Sequence, residues 1–458
     1  MPAGVAGSPL AVGAHSPEAL RADLRRLRAD RVFLRHSRPR ARLLAGEPSW
    51  QLYRLLILVV LGIVPSTINL GGLSLHALLW MTYAVAGSLL LLVTPLAHRA
   101  IPWVALYGAY LLIALASLTY AAQLAFGIQT LVQLSAPALI YVLAWRAPLV
   151  PRMMRALPVL AFWGLLIACV LLLMPISGAG VTVAIRPLAI GLAPLFVLAT
   201  LNSTSPLFGV GTGLLMVAAA VMSGSRSASV MLLLLFVTSP AVRVRWRGRG
   251  ALIAVTVFLV LLGSQTSSFK QRYFFSSSAG LSEIAGNSAL LNTSGRSEFW
   301  PQLEATCNRH PIRGFGVGAA YGISNDLSNG TFPQPHNEFI RAYCDTGYAG
   351  SFPLWAFYAM LMGRSLWLSV RDASRRRLHI AGAQLLVAVV IMSFTDNPMV
   401  YTGVVMAPVL LVLGLSHSAG DRRPRPSPAL SPPSTVPVRQ RLPVPRRSRS
   451  RDTASPAP

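Results

Sequence analysis

The chain has 458 residues, of which 53% are hydrophobic and only 12% are charged, and its mean hydropathy is +0.56. This composition excludes an ordinary soluble globular protein and indicates an integral membrane protein. A net charge of +26 would suggest nucleic acid as the partner of a soluble protein. Here the arginines lie between and outside apolar spans, so we expect them to hold loops in the cytoplasm and to bind no nucleic acid.

Apolar runs long enough to cross a hydrocarbon core of roughly 30 Å predict an all-α polytopic fold with about twelve transmembrane helices. They divide the chain into a basic cytoplasmic extension (1–50), nine helices (51–265), a long polar loop (266–347), three helices (348–418) and a basic tail (419–458) that we expect to be disordered. The predicted spans are 52–72, 77–97, 101–122, 128–145, 156–176, 187–203, 206–223, 228–242, 250–265, 348–365, 379–395 and 399–417.

The arginine pattern predicts the orientation. With the basic N-terminus in the cytoplasm, alternating spans bring every strong arginine cluster and both termini to that side, and the long loop to the opposite side. Arg186 and Arg226 break the pattern, because they fall in short turns on the side of the long loop. Cys307 and Cys344 lie in or beside that loop; whether they form a disulfide or stay free and buried is open at this stage.

No acidic residue occurs between Glu47 and Glu283, so Arg186 and Arg226 have no carboxylate nearby in the sequence. A charge at membrane depth costs about 2.5–3.5 kcal/mol, so each guanidinium needs an anionic partner. Either the side chain reaches lipid phosphate, or it binds a ligand that carries a diphosphate, whose oxygens a guanidinium contacts bidentately. The same scarcity of carboxylates argues against a metal site and a proton-coupled transporter.

The polar loop ends in His336 and Asn337, at the predicted start of a helix. An imidazole can accept a proton from a hydroxyl, or as a cation stabilise a leaving phosphate, whereas the alternative for this pair is local helix capping. Arg341 lies about 140° around the helix from His336 and is either a further phosphate contact or an interfacial residue. Asp396, between the last two predicted spans, either faces this site or only forms a turn.

His336-Asn337, followed after nine residues by Gly347-Tyr-Ala-Gly350, resembles the signature of the O-antigen ligase and O-antigen polymerase superfamily. Ser223-Gly-Ser-Arg-Ser-Ala-Ser229 resembles the Ser-Arg element of that superfamily. Gly295-Arg-Ser-Glu-Phe-Trp300 and Gly314-Phe-Gly-Val-Gly318 resemble its loop pattern. By this resemblance, Gly347 and Gly350 allow close helix packing.

The resemblance implies a metal-independent glycosyltransferase of the GT-C-like type, without a cofactor, that takes its glycan from an undecaprenyl diphosphate-linked donor. Arg226, Arg296 and Arg186 would bind the donor diphosphate and offset charge on the departing phosphate. His336 would position or deprotonate the acceptor hydroxyl, and Asn337 would orient the sugar. The site would lie on the periplasmic or extracytoplasmic face of a bacterial inner membrane.

The resemblance covers roughly residues 180–415 and does not separate two activities. A ligase would transfer the glycan to lipid A core or a similar acceptor, whereas a polymerase would join lipid-linked repeats. A lipid-linked oligosaccharide flippase is an alternative from another class, but a transporter should show charges in both membrane halves and internal repeats, and neither is evident here. Lys270 is the sole lysine, and such arginine usage indicates a G/C-rich bacterial genome.

Overall fold

The computed structural model describes the chain from residue 48 to 421 with gaps. The described residues are 48–71, 73–93, 102–147, 151–174, 181–240, 242, 250, 254, 258 and 296–421. Most of the N-terminal extension, of the predicted ninth span and of the C-terminal tail, together with loop residues 266–295, therefore lies outside the described residues.

The described part of the chain is mostly helical, because long apolar segments satisfy their backbone hydrogen bonds internally only as helices when they lie in lipid. A π-helical turn, Thr402–Met406, precedes the last helix. The α-helices are α1 (Pro48–Leu61), α2 (Leu75–Val93), α3 (Pro102–Ser117), α4 (Leu124–Arg146), α5 (Pro151–Leu173), α6 (Ile185–Thr200), α7 (Pro206–Met222), α8 (Arg226–Thr238), α9 (Arg296–Cys307), α10 (Ala319–Leu327), α11 (Glu338–Arg371), α12 (Arg376–Ser393) and α13 (Ala407–Asp421).

Five helical segments of the described chain are long and apolar enough to cross a membrane, judged by length and composition: Leu75–Val93, Trp103–Tyr120, Leu124–Arg146, Met153–Leu173 and Ala373–Ser393. Large apolar side chains project outward from them, including Leu89 and Leu92 on α2 and Trp163 on α5. Lipid is the solvent that such a surface suits. The protein is thus a mostly helical polytopic membrane protein, and the count of twelve spans stays a prediction.

Three short strands depart from the predicted all-α fold. β1 (Ile68–Leu70), β2 (Leu73–Ser74) and β3 (Val181–Val183) form an antiparallel sheet in the order β2-β1-β3. The sequence predicted one span over 52–72, whereas α1 ends at Leu61 and β1 follows after a 3₁₀ turn. The prediction was wrong here because β1 pairs both with the adjacent β2 and with β3, more than 100 residues away, and hydropathy does not reveal strand pairing.

A kink divides α11. Gly347 has φ +59° and ψ −165°, a backbone conformation that glycine adopts without strain from a side chain. The loop before α10 pairs with the kink, where Tyr348 N donates to Pro311 O (2.8 Å) and Ala349 N to Ile312 O (3.0 Å). Gly347 therefore permits close approach of a loop, not of the predicted neighbouring helix, and a Cβ on Gly350 would meet Thr346 of its own helix.

A disulfide joins Cys307, the last residue of α9, to Cys344 in α11, which answers the question that the sequence left open. Beside it, Phe315 N donates to Cys344 O (2.9 Å) and Gly316 N donates to Asp345 O (2.9 Å). The segment between α9 and α10 is thus fastened to the first turns of α11, directly behind His336.

Turns that the alternation of spans assigned to the cytoplasm meet at one end of the helical bundle. There Arg377 Nη1 donates to Ser203 O (2.7 Å) and Asn202 Nδ2 donates to Met154 O (2.6 Å). From Arg377, α12 runs to the opposite end, where Asp396 follows it. The functional residues considered next lie at that second end; which compartment each end faces stays a prediction.

Candidate functional site

Three side chains that are far apart in the sequence meet in one cluster: Arg186, His336 and Asp396. Arg186 Nε lies 2.7 Å from Asp396 Oδ2, and His336 Nδ1 lies 3.4 Å from Asp396 Oδ1. Arg186 Nη1 is 3.5 Å from His336 Nδ1. The Asp396 side chain is fully buried, whereas 33% of the Arg186 side chain and 20% of the His336 side chain are exposed. The carboxylate therefore forms the floor of the cluster and the two basic groups form its accessible rim.

Arg186 is placed by the small sheet. Ala184, between β3 and α6, donates its N–H to Thr67 O at 2.7 Å, so the start of α6 is fixed against the turn that precedes β1. Arg186 is the second residue of α6, and its Nη2 also donates to Thr395 O at 3.3 Å. The strands that the sequence failed to predict thus position one of its predicted site residues.

His336 precedes the N-cap of α11 and has φ +51°, a left-handed conformation that few non-glycine residues adopt. Trp300 Nε1 donates to Pro335 O (2.8 Å) and fixes the preceding residue. Asn337 Oδ1 accepts from Phe339 N (3.0 Å) and Ile340 N (3.1 Å), so Asn337 is the helix cap. Asn337 therefore caps the helix, which was one of the two alternatives for this pair. The His336 side chain takes no part in capping and contacts Asp396 instead.

Asp396 follows α12 and is held by several hydrogen bonds. Its N–H donates to Met392 O (2.7 Å), and its Oδ1 accepts from Asn397 N (2.9 Å) and from the Tyr401 hydroxyl (3.3 Å). Burial raises the pKa of this carboxyl, but the hydrogen bond to His336 and the charge of Arg186 lower it more, so that its pKa lies below the ordinary value. Asp396 is therefore an anion at neutral pH, and it both forms the turn and faces the site.

The expectation that Arg186 lacks a counter-ion within the protein was wrong. Its carboxylate partner, Asp396, is 210 positions later in the chain, and the sequence near Arg186 does not reveal a partner at that distance. Because the pair is close to neutral, Arg186 adds less net positive charge to the site than a lone guanidinium would.

Arg341 is not a contact for an external phosphate. It is fully buried and bonded to two carboxylates, with Nη1 2.9 Å from Asp345 Oδ2 and Nε against Glu338 Oε1. Asp345 Oδ1 also accepts from Ala320 N (2.9 Å), and Glu338 Oε2 accepts from Met399 N (3.4 Å). The group fastens α11 to the start of α10 and to the turn after Asp396. Arg341 therefore supports the site from behind.

Arg226 and Arg296 begin α8 and α9, and their side chains lie outside the described part of the structure. The last residue of α8, Thr238, accepts a hydrogen bond from Gln384 Nε2 (2.9 Å) on α12. Ser239 and Arg377 line one small pocket, so α8 ends toward the Arg377 end of the bundle. Twelve helical steps of about 1.5 Å carry its first residue roughly 18 Å toward the end that holds Asp396.

A cavity of about 370 Å³ lies beside the cluster, and the sequence analysis did not predict it. Gln334, two residues before His336, forms part of its wall, and Asn397 Nδ2 lies 3.5 Å from Gln334 Oε1. One sequence signal was present: polar residues recur at helical spacing through an apolar span, at Gln129 and Gln133 of α4. The described residues that line it are Gln123, Phe126, Gln129, Thr130, Gln133, Tyr321, Gly322, Asn325, Pro333, Gln334 and Val400.

Among the described residues there is no group of three or more His, Cys, Asp or Glu side chains placed to hold a metal ion. The cluster itself offers one carboxylate and one imidazole, fewer donors than a stable metal site has. Metal independence of the reaction stays a prediction.

Residues 211–355 match the family model described as O-antigen ligase. The segment runs from α7 to α11 and includes Arg226, Arg296, His336 and Asn337. Within this segment the chain is similar to the O-antigen ligase family. The similarity suggests a glycosyltransferase-like enzyme of the ligase or polymerase type in surface polysaccharide assembly. No curated protein matches the chain.

The family match covers only part of the cluster. Arg186 precedes the matched segment and Asp396 follows it, while His336 lies within it. The family match and the geometry are therefore independent observations that both include His336.

Proposed function

We propose that this protein transfers a glycan from an undecaprenyl diphosphate-linked donor to an acceptor hydroxyl, as an O-antigen ligase does, with lipid A core or a similar molecule as the acceptor. The observation that carries the proposal is the contact of His336 with the buried anion Asp396, in a chain that is similar to the O-antigen ligase family over residues 211–355. A histidine held at one ring nitrogen by a carboxylate presents the other nitrogen to substrate.

His336 is the proposed general base. Its Nδ1 faces Asp396, and its Nε2 has no hydrogen bond within the described part of the chain. In the proposed step, Nε2 accepts the proton of the acceptor hydroxyl while the hydroxyl oxygen bonds to the anomeric carbon of the donor sugar. The bond from that carbon to the diphosphate oxygen breaks, undecaprenyl diphosphate leaves, and His336 then returns its proton to water.

The diphosphate is proposed to bind Arg226 and Arg296, with Arg186 as the third contact. Arg186 is paired with Asp396, so the first two would supply most of the positive charge that offsets the departing anion. The position of Arg226 at the start of α8, toward the Asp396 end of the bundle, supports this assignment. Asn337 orients the sugar in the sequence-based hypothesis; as the cap of α11 it would act by fixing the backbone at His336.

The proposal places the reaction on the periplasmic or extracytoplasmic face of a bacterial inner membrane, in a GT-C-like protein of about twelve spans with both termini in the cytoplasm. The disulfide between Cys307 and Cys344 supports that side for the segment around His336, because disulfides persist in oxidising compartments.

A polymerase that joins lipid-linked repeats would use the same chemistry with a lipid-linked acceptor. The two activities differ in what a deletion strain accumulates: single unpolymerised repeats on the surface indicate a polymerase, and full-length chains stranded on the carrier lipid indicate a ligase. A flippase is disfavoured because the ionic cluster lies at one end of the bundle and not along a path through it.

The test of transferase activity is His336→Ala. Removal of a general base typically lowers a rate by about 10²–10⁴-fold, so the variant should insert normally, lose glycan product and accumulate lipid-linked donor. The matched control is His310→Ala, since His310 packs on Phe315 outside the cluster and should leave transfer near the wild-type rate. Retention of donor on the cytoplasmic face would instead indicate a transporter and contradict the proposal.

A further inference from the structure

The described residues that line the cavity beside His336 carry no charge. Among these eleven residues, five carry side-chain amides, two are aromatic, and none is acidic or basic. A diphosphate would be a poor ligand for such a wall, because it needs cationic groups to offset its charge. The cavity therefore calls for a neutral ligand that has many hydrogen-bonding groups.

Side-chain amides of the cavity wall are available to form hydrogen bonds with a ligand. Within the described residues, the side-chain amides of Gln123, Gln129 and Gln133 make no hydrogen bond to protein. Gln123 and Gln129 are exposed, whereas Gln133 is only 5% exposed and Thr130 beside it only 4%. A polar group with so little access to bulk water and no protein partner is costly, so the Gln133 amide must bond to molecules that enter the cavity. Each amide both donates and accepts, which matches hydroxyl groups.

The two aromatic rings of the wall lie nearly parallel. Phe126 and Tyr321 have ring centroids 6.3 Å apart and an interplanar angle of 18°. Apolar ring faces beside a row of amides suit a molecule that has a C–H face and a hydroxyl edge, as a pyranose has. The volume of about 370 Å³ falls within the range of roughly 300–1,000 Å³ that is usual for small-molecule sites.

The cavity is joined to the cluster through its own walls. Gln334 connects it to His336 along the chain and to Asn397 through the amide contact, and Asn397 follows Asp396. On the other wall, Thr402 Oγ1 donates to Gln133 O at 3.0 Å, which fixes α4 to the turn after Asp396. A ligand in the cavity would thus lie next to the proposed base.

We infer that this cavity binds an uncharged saccharide unit and holds it for reaction at His336, with Gln133 and Gln129 as binding residues. The inference rests on the proposed function only in that it makes the saccharide part of a transfer substrate. The saccharide can belong to the acceptor or to the lipid-linked donor, since both carry sugar hydroxyls.

The test uses binding alone, on the full chain in detergent. The probes are methyl glycosides of neutral hexoses and N-acetylhexosamines, with methyl glucuronide as the charged counterpart, and the readout is ligand-induced thermal stabilisation. At least one neutral glycoside should stabilise the wild type and bind more tightly than the glucuronide. Absence of stabilisation by every neutral probe, or tighter binding of the glucuronide, would overturn the inference.

The variants are Gln133→Leu and, because a buried change can impair folding, the exposed Gln129→Leu. Each should weaken glycoside binding by about tenfold, the loss expected for one or two hydrogen bonds. The control is Gln302→Leu, the same change on an exposed face of α9 outside the cavity, which should bind as the wild type does. Wild-type affinity in both cavity variants would overturn the assignment.

Two further experiments distinguish acceptor from donor as the source of the saccharide, and the saccharide site from the proposed function. In a transfer assay, a glycoside that competes with acceptor but not with donor assigns the cavity to the acceptor, and the reverse pattern assigns it to the donor. Competition with neither would overturn the placement of the sugar next to His336. If His336→Ala retains transfer, the role of His336 as general base fails. If the wild type transfers no glycan while glycoside binding depends on Gln133, the proposed function fails and the saccharide site stands.

Discussion

At the scale of single residues, one buried carboxylate serves two basic groups. Asp396 contacts Arg186 through Oδ2 and His336 through Oδ1, so a single side chain fixes both the proposed base and a proposed phosphate ligand. An unpaired buried charge is costly, so the removal of any one of these three side chains should destabilise the arrangement of the other two. The cluster acts as a unit in which the effects of substitutions should not add.

Asp396→Asn should lower transfer by about 10²-fold or more, because an amide neither fixes the imidazole as an anion does nor balances Arg186. Transfer of glycan to acceptor in membranes is the measurement. Asp326→Asn, an exposed residue of α10, is the control and should leave the rate unchanged. Equal rates in the two variants would contradict the role of Asp396.

The lowered pKa of Asp396 also predicts how the stability of the Asp396→Asn variant depends on pH. An acid whose pKa is depressed by folding adds stability that is fully present above its unfolded pKa of about 3.9 and is lost as pH falls through the folded value. The difference in melting temperature between wild type and Asp396→Asn should therefore be the same at about pH 7 and about pH 5, and should shrink below about pH 4. A difference that stays constant below about pH 4, or that already shrinks between about pH 7 and about pH 5, would show that the pKa is not depressed.

At the scale of elements, the site depends on how the loop 310–318 packs against the kink of α11. The disulfide of Cys307 with Cys344 joins the end of α9 to α11, the backbone bonds at Gly347 join the loop to α11, and the Arg341 group joins α11 to the start of α10. Together they fix the start of α11, from which His336 projects in a left-handed conformation. Such conformations persist only where the surrounding structure holds them.

Gly347→Ala should destabilise the protein by about 1–3 kcal/mol, because alanine is strained at φ +59° and its Cβ would meet the backbone of Ile312. Gly363→Ala is the control in the same helix, where a Cβ meets nothing within 4 Å and alanine is the better helix former. Thermal unfolding in detergent should show a lower midpoint for the first variant and an equal or higher one for the second. The reverse order would contradict the described kink.

At the scale of the whole molecule, the two ends of the helical bundle differ in chemistry. One end holds the Arg186 cluster and the neutral cavity, and the other holds the basic turn 373–377. A basic turn favours the cytoplasmic side, so the cluster is predicted to lie at the opposite face. Catalysis on lipid-linked sugar would then occur where the disulfide is stable.

Single cysteines at Thr331 and Ser374, both exposed, test the orientation in a variant without Cys169. Thr331→Cys should react with a membrane-impermeant maleimide in intact cells stripped of their outer layers, because it is on the side of the cluster. Ser374→Cys should react only after the membrane is opened. Labelling of both cysteines from the same side would contradict the prediction that the chain crosses the membrane between residues 331 and 374.

The sequence by itself determined the membrane class and the approximate helices, and it made His336 a candidate site residue, since apolar run length and a short motif are local properties. The fold brought Asp396 to Arg186 across 210 positions, paired Cys307 with Cys344, buried Arg341 between carboxylates and built a saccharide-sized cavity around Gln133. Only the tertiary structure could decide these, because each is a contact between distant segments. A hydropathy pattern predicts which residues are removed from water, but it does not predict which of them contact each other in the folded chain.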